Sequence, residues 1–323
     1  MKKPIGGFYE SLIPKDSFTY HKEANYLTNG RACIRTIILN ENMTKCYIPN
    51  YTCDAVFHPF LLENIEIEFY NIDSSLEPVS LPILEDGAFF LYINYFGLKS
   101  ATVDSLVKTY GNSLIIDNTH DFFQKREGNN WSFTSARKYF GVPDGAFLYS
   151  PKELTLNYER FEAYSVQHNI ERLKGNQDIA FSHFQEFERS LDCEIKRISI
   201  YSEKMLSLVD TENAIQKRKD NFNYLQSRLK NLNVLDLSAE IRNAPYCFPF
   251  LPFTAINKSK FYENQIFIPA LWIDPTKRPE IANEFELNLA LNLLPLPVDE
   301  RYDFNDLDRI IEIISDHNLN FKQ

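Results

Sequence analysis

The sequence predicts an α/β protein with a large domain built on a mostly parallel central sheet flanked by helices, followed by a smaller C-terminal α+β domain. Three observations predict it. Apolar runs of strand length alternate with helix-length amphipathic stretches through the first 150 residues. Two of the runs, Phe89–Tyr95 and Ser113–Ile116, are apolar almost throughout, as in strands buried on both faces. From about residue 158 the pattern turns to long helical stretches, and from Pro245 it becomes proline-rich and mixed.

Taken in order, residues 1–29 read as an irregular arm with Gly6-Gly7 and Pro14. Asn29-Gly30 opens a helix over Arg31–Leu39, with Ala32, Ile34, Ile37 and Ile38 as its apolar positions. Lys45–Ile48 is a short strand broken at Pro49-Asn50, and Cys53–Leu62 is predicted helical with a kink or end at Pro59. Ile65–Ile72 alternates apolar and acidic residues, a strand pattern. Phe89–Tyr95 ends at Phe96-Gly97, and Val103–Tyr110 is helical. Ser113–Ile116 stops abruptly in Asp117-Asn118-Thr119-His120, and a loop over Lys125–Asn130 follows. Trp131–Ser150 then reads WSFTSARKYFGVPDGAFLYS: a hydroxyl-rich segment, Arg137-Lys138, a turn over Gly141–Gly145 and a short strand over Ala146–Tyr149. Ile170, Leu173, Phe181, Phe184, Phe187 and Leu191 fit long helices; Ile215, Phe222, Leu225 and Leu229 fit another. Phe304–Ile314 reads as a closing helix. The domains are expected at 1–200 and 201–323.

Composition narrows the function. A formal charge of −10 argues against a nucleic-acid binder, which would present a basic face. The cysteines (Cys33, Cys46, Cys53, Cys193 and Cys247) are odd in number and form no CxxC, so a reducing, cytoplasmic location is expected. The opening MKKPIGGFYESLIP lacks the apolar core of a signal peptide. The longest apolar runs, Ala88–Phe96 and Pro245–Ile256, are too short to span a bilayer, so no membrane partner is expected. No metal site is expected.

The candidate chemistry falls where α/β sheets bind ligands, outside the carboxyl ends of their strands. Asp117 and His120 follow the strand Ser113–Ile116. Asn29-Gly30-Arg31 begins a helix, whose free amides and dipole favour a phosphate. Lys138 follows the hydroxyls of Ser132, Thr134 and Ser135. A lysine, a carboxylate and a phosphate site together suit pyridoxal phosphate (PLP), with the carboxylate keeping the pyridine nitrogen protonated. Taken singly, each residue has a plainer reading: Asp117 as a cap or turn residue, His120 as a satisfied structural histidine, Gly30 as a helix-start glycine, Lys138 as a solvated loop lysine. Their order and spacing carry the joint reading.

These residues resemble those of the DegT/DnrJ/StrS family of PLP-dependent sugar aminotransferases, which have the aspartate-aminotransferase fold (fold type I). The resemblance rests on Asn29-Gly30-Arg31-Ala32, Ile48-Pro49-Asn50-Tyr51-Thr52-Cys53, Asn94-Tyr95-Phe96-Gly97, Ile116-Asp117-Asn118-Thr119-His120 and Ser132 through Gly145, in family order. A weaker likeness continues through the later helices to Leu293–Pro297. It implies that Lys138 is the Schiff-base lysine and the acid/base of proton transfer. Asp117 would pair with the pyridinium nitrogen, and His120 would stand near the ring's phenolic oxygen. Gly30 and Arg31 would offer backbone amides to the phosphate, and Ser132, with Thr134 or Ser135 as rivals, a hydroxyl. The family's phosphate-binding asparagine from a neighbouring subunit would be Asn169, followed here by Arg172, which implies a homodimer with composite sites. Cys53 stands where many members have an aromatic residue stacked on the ring, with Tyr51 or Tyr95 as substitutes. The implied activity is amino transfer from an amino acid, glutamate by expectation, to a keto-sugar, nucleotide-linked by expectation. Two alternatives remain: a non-catalytic relative acting as a binding protein, and a sugar dehydratase, in which histidine replaces the lysine.

Overall fold

The computed structural model describes residues 13–126, 128–237 and 241–320. Gly6-Gly7, and most of the opening stretch in which a signal peptide was sought, lie outside them. A seven-stranded sheet organises the chain up to Tyr149. Its strands are β1 (Asn25–Leu27), β2 (Lys45–Pro49), β3 (Glu66–Tyr70), β4 (Ala88–Ile93), β5 (Leu114–Asp117), β6 (Trp131–Ser135) and β7 (Ala146–Tyr149). They stand side by side in the order β1-β7-β6-β5-β4-β2-β3. From β3 through β6 the pairings are parallel; β7 is antiparallel to β6, and β1 to β7. The mostly parallel sheet expected from the apolar runs is therefore present, and β4 and β5 are buried along their whole length.

Two strands of this sheet were not foreseen. β1 lies in the supposedly irregular arm; it is three residues long and pairs with Ala146–Leu148, far along the chain. β6 is the hydroxyl-rich segment, all five residues of which are buried. Its alternate serines and threonine hide the apolar signal that sequence patterns rely on.

The helices beside the sheet follow local rules. In α1 (Gly30–Asn40) the Asn29 side chain caps the Ala32 amide, and Ala32, Cys33, Ile34, Ile37 and Ile38 are buried. The predicted helix over Cys53–Leu62 is two pieces: a single 3-10 turn over Asp54–Val56, then α2 (His58–Leu62) with Pro59 in its first turn. Proline lacks an N–H and is tolerated only there. α3 (Ser100–Tyr110) leads into β5. α4 (Gln167–Leu173) and α5 (Gln177–Ser190) pack as a hairpin whose apolar stripe turns outward: Ile170, Leu173, Phe181 and Phe184 are exposed, and only Phe187 of the expected set within α4 and α5 is buried.

The expected domain boundary at residue 200 falls at the start of α6 (Ile200–Leu206). α7 (Thr211–Leu229) buries Phe222, Leu225 and Leu229. The proline-rich segments form β8 (Cys247–Phe250) and β9 (Leu294–Pro297), an antiparallel pair. Around them lie α8 (Ser259–Glu263), α9 (Glu284–Asn292) and α10 (Phe304–Asn320). One apolar cluster runs from Ile37, Phe90 and Ile115 to Phe222, Phe248 and Leu294, so the core continues across residue 200.

A buried polar latch joins the later elements to the sheet. Asn283 and Glu286 form a capping box at the start of α9. The fully buried Glu286 carboxylate also accepts hydrogen bonds from Asn50 Nδ2 (3.3 Å), Asn71 Nδ2 (2.6 Å) and the Ile72 amide (3.0 Å). Nearby, the Arg278 guanidinium donates to Asn50 Oδ1 (3.1 Å), pairs with Asp54 and lies over the ring of Phe57 (4.8 Å).

The arm is held by aromatic packing. His21 sits among Phe18, Phe122 and Phe147, with Nδ1 2.7 Å from Tyr149 Oη. Burial pushes its pKa from the ordinary 6.5 down to about 3. Between those values the unfolded chain binds a proton that the folded chain does not. The stability carried by neutral His21 is thus intact above pH 6.5 and is lost as pH falls toward 3. The slope is up to about 1.4 kcal/mol per pH unit. Urea denaturation at about pH 7 and about pH 5 is expected to show a larger acid loss in the wild type than in His21→Phe. Equal losses would sink the assignment.

Candidate active site

Parallel strands present their carboxyl ends to one side, and the predicted residues meet there. β5 ends at the buried Asp117, β2 runs through Asn50 to Cys53, and β6 runs into the turn that carries Lys138. Lys138 Nζ donates to Thr119 Oγ1 at 3.1 Å, and Asp117 Oδ1 accepts the Thr119 amide at 2.8 Å. Lys138 is exposed as a residue, and its hydrogen bond to Thr119 is half-buried. Burial pushes the Asp117 carboxyl up, and the Lys138 ammonium pulls it back. Burial also raises the Cys53 thiol against the same positive charge, which leaves it protonated. Lys138 acts electrostatically on Asp117, Cys53 and His120 alike, so the four form one cluster.

His120 is fully buried and lies between two rings: Tyr246 at 4.3 Å and 15°, and Trp272 at 4.8 Å and 9°. Burial, then the Lys138 charge, holds its pKa well below the ordinary value. The ring is therefore a neutral imidazole, with one donor and one acceptor. Among the described residues neither ring nitrogen has a hydrogen-bond partner. Unmade polar bonds in a dry site are costly, and the pair points to a ligand atom that would satisfy one of them.

The backbone around His120 is unusual. Phe96 (φ 58°) and Trp272 (φ 51°) are both left-handed. For bulky residues that costs on the order of 1–3 kcal/mol and persists where packing over-determines it. Gly97 (φ 76°) brings the loop after β4 against the Asp117–His120 turn, where a Cβ would lie 2.6 Å from the His120 carbonyl oxygen. Only glycine allows that approach. The turn after Lys138 is fixed by Asp144, whose buried carboxylate accepts from the Ser199 amide and hydroxyl (both 2.6 Å) and from the Ser202 hydroxyl.

The phosphate candidates divide. Ala32 N is capped by Asn29 Oδ1 (2.9 Å) and Cys33 N makes the first intrahelical bond, to the Asn29 carbonyl (3.2 Å). The Gly30 and Arg31 amides precede both, in the first turn, where N–H groups have no partner within the helix. The Arg31 side chain turns elsewhere, donating to the Leu191 carbonyl at 2.9 Å. On β6, Phe133 pairs with Asp117 and packs on Gly30, so Phe133 and Ser135 share the face of Asp117 and α1. Ser135 Oγ lies 3.4 Å from the Gly145 carbonyl. Ser132 and Thr134 fall on the opposite face, where Thr134 Oγ1 donates to the Asn118 carbonyl (2.8 Å). The structure thus brings Gly30, Arg31 (backbone), Cys53, Asp117, His120, Ser135 and Lys138 to one side and leaves Ser132 off it. Asn169 stands beside the turn after Lys138 of its own chain, its Nδ2 3.4 Å from where a Cβ on Gly141 would lie.

Three neighbours had no role in the sequence reading: Thr119, Tyr246 and Trp272. Thr119 lay inside the Asp117–His120 box and was passed over. Tyr246 and Trp272 come from the proline-rich region, where no local pattern marks them.

No protein-family model matches the sequence, and no curated protein matches it. Solved structures do. A DegT DnrJ EryC1 StrS aminotransferase from Brucella abortus superposes with a TM-score of 0.61 at 14% identity, over 91% of this chain and 85% of its own. Its fold is that of the sugar aminotransferases. A sugar aminotransferase of Streptococcus pneumoniae in its PLP form matches at TM-score 0.62 and 11% identity, over 94% and 92% of the two chains. The Escherichia coli GDP-4-keto-6-deoxy-D-mannose-3-dehydratase with bound hydrated PLP matches at 0.57 and 11%, over 92% and 89%. The fold type I architecture implied by the motifs is therefore present across about nine-tenths of the chain.

Proposed function

We propose that the protein is a PLP-dependent aminotransferase that moves an amino group from an amino acid, glutamate for preference, to a keto-sugar, nucleotide-linked for preference. One observation carries the reading. Lys138, buried Asp117 and His120, whose ring nitrogens have no hydrogen-bond partner among the described residues, converge at the carboxyl ends of parallel strands, in a fold shared with sugar aminotransferases.

The residues present fit the cofactor. They comprise the amine of an exposed lysine, a buried carboxylate, an imidazole whose two nitrogens have no hydrogen-bond partner among the described residues, and the start of an eleven-residue helix. When bound, PLP supplies an electron sink that stabilises negative charge on the substrate carbon. Lys138 Nζ holds the cofactor and, once released, moves the proton at the reacting carbon. Asp117, as an anion, holds the proton on the ring nitrogen; the Lys138 charge already opposes the effect of burial on it. Neutral His120 can give or take a hydrogen bond at the phenolic oxygen. The Gly30 and Arg31 amides and the Ser135 hydroxyl take the phosphate, with Ser135 preferred over Ser132 because it shares the face of Asp117. The protonated Cys53 thiol lines the site beside Lys138 and is no nucleophile.

The homodimer is part of the proposal. Five exposed apolar residues, Ile170, Leu173, Ile179, Phe181 and Phe184, lie on the α4–α5 hairpin that carries Asn169. A patch of this kind marks an interaction surface. Five unpaired cysteines support a reducing, cytoplasmic setting. Among the described residues no helix is long and apolar enough to cross a membrane. The presence of Lys138 favours the aminotransferase over the dehydratase. The deciding experiment is a visible spectrum of purified protein supplied with PLP, before and after borohydride, with a peptide map. A yellow band, bleached by borohydride and leaving a pyridoxyl group on Lys138, is expected. A protein that stays colourless would refute the proposal and leave a binding role.

A further inference from the structure

Resting on the reading of a PLP site at Lys138, we propose that Trp272 supplies an aromatic wall of that site. Trp272 is the ring over which the Lys138 amine stands, at 5.9 Å from its centroid. A planar group carried on that nitrogen comes within stacking reach of the indole, and aromatic pairs stack at centroid distances of roughly 4.5–7 Å. The other candidates are placed differently. Tyr51 and Tyr95 are fully buried, stack on each other and meet Trp272 nearly edge to face, at 5.1 Å and 88° and at 5.6 Å and 78°. They buttress the indole instead of facing the amine.

The segment carrying Trp272 is pinned beside Cys53. Lys277 and Arg278, a few residues on, both pair with Asp54, the neighbour of Cys53. Arg278 also donates to the carbonyls of Asn50 (3.2 Å) and Thr52 (3.4 Å). The later half of the chain thereby lays a strap over the tail of β2 and inserts its indole beside His120, at 9° to the imidazole plane. The backbone at Trp272 is left-handed where the indole enters.

The test compares PLP binding to wild type, Trp272→Phe and Trp272→Leu by equilibrium absorbance titration, with induced visible circular dichroism as a second readout and thermal melts as a check of folding. Trp272→Phe keeps a ring and is expected to bind within about threefold of wild type; Trp272→Leu keeps apolar bulk and is expected to weaken binding by about tenfold. The dichroic band should change in Trp272→Leu and persist in Trp272→Phe. If wild type binds PLP and Trp272→Leu binds as well or better with an unchanged dichroic band, the indole is filler or a plug, and the inference is overturned while the PLP site stands. If wild type binds no PLP, both fall together.

Discussion

Lys138→Ala is expected to lower transamination by at least about a thousandfold, because the substitution removes both the amine that holds the cofactor and the base that moves the proton. The fold should survive it. Lys138 is exposed and its recorded hydrogen bond is the one to Thr119 Oγ1, so little packing is lost. One electrostatic change follows: Asp117 loses the positive charge that opposes its burial and should protonate more readily. Lys138→Arg separates the two effects. Arginine keeps a cation near Asp117 but offers no amine that deprotonates at working pH, so it should be as inactive as alanine. Single-turnover amino transfer from glutamate, followed by loss of the yellow band, gives the measurement. Wild-type rates in either variant would end the case for Lys138.

The second large effect is on stability. Glu286→Ala should destabilise the protein by about 3–5 kcal/mol, since it removes one carboxylate that accepts from four donors, two of them buried. Those donors are Asn50 Nδ2, Asn71 Nδ2 and the amides of Ile72 and Asn283. For a chain of this size the melting temperature should fall by about 5 °C. Glu286→Gln keeps the shape and one acceptor and should cost less. Urea melts of the three proteins decide it; an alanine variant within about 1 kcal/mol of wild type would show that water replaces the carboxylate.

Much of this architecture was legible in the sequence because buried parallel strands are written as apolar runs. Phe89–Tyr95 and Ser113–Ile116 lie within a residue or two of β4 and β5, and the abrupt change from Ile116 to Asp117 marks where a strand leaves the core. Asp117 and His120 were legible for the same reason, standing at or just past the end of an apolar run, whereas Lys138 was legible from the hydroxyls before it and the glycine turn after it. What was not legible depends on register and distance. Whether Ser132 or Ser135 faces Asp117 is set by how β6 pairs with β5, and a shift of one residue would exchange them. The outward stripe of α4 and α5 has the same periodicity as a buried one, since periodicity says which face is apolar and not what covers it. Trp272 reaches His120 from a part of the chain with no helical or strand pattern at all.

The tail of β2 belongs to two structures at once. Asn50 donates to Glu286 and accepts from Arg278, Asp54 pairs with Arg278, and between them Cys53 feels the charge of Lys138. The strap and the candidate site therefore meet on one short segment, and thermodynamic reciprocity governs any coupling between them. Whatever free energy a bound ligand lends to the closed strap, the closed strap returns to the ligand's affinity, in equal measure.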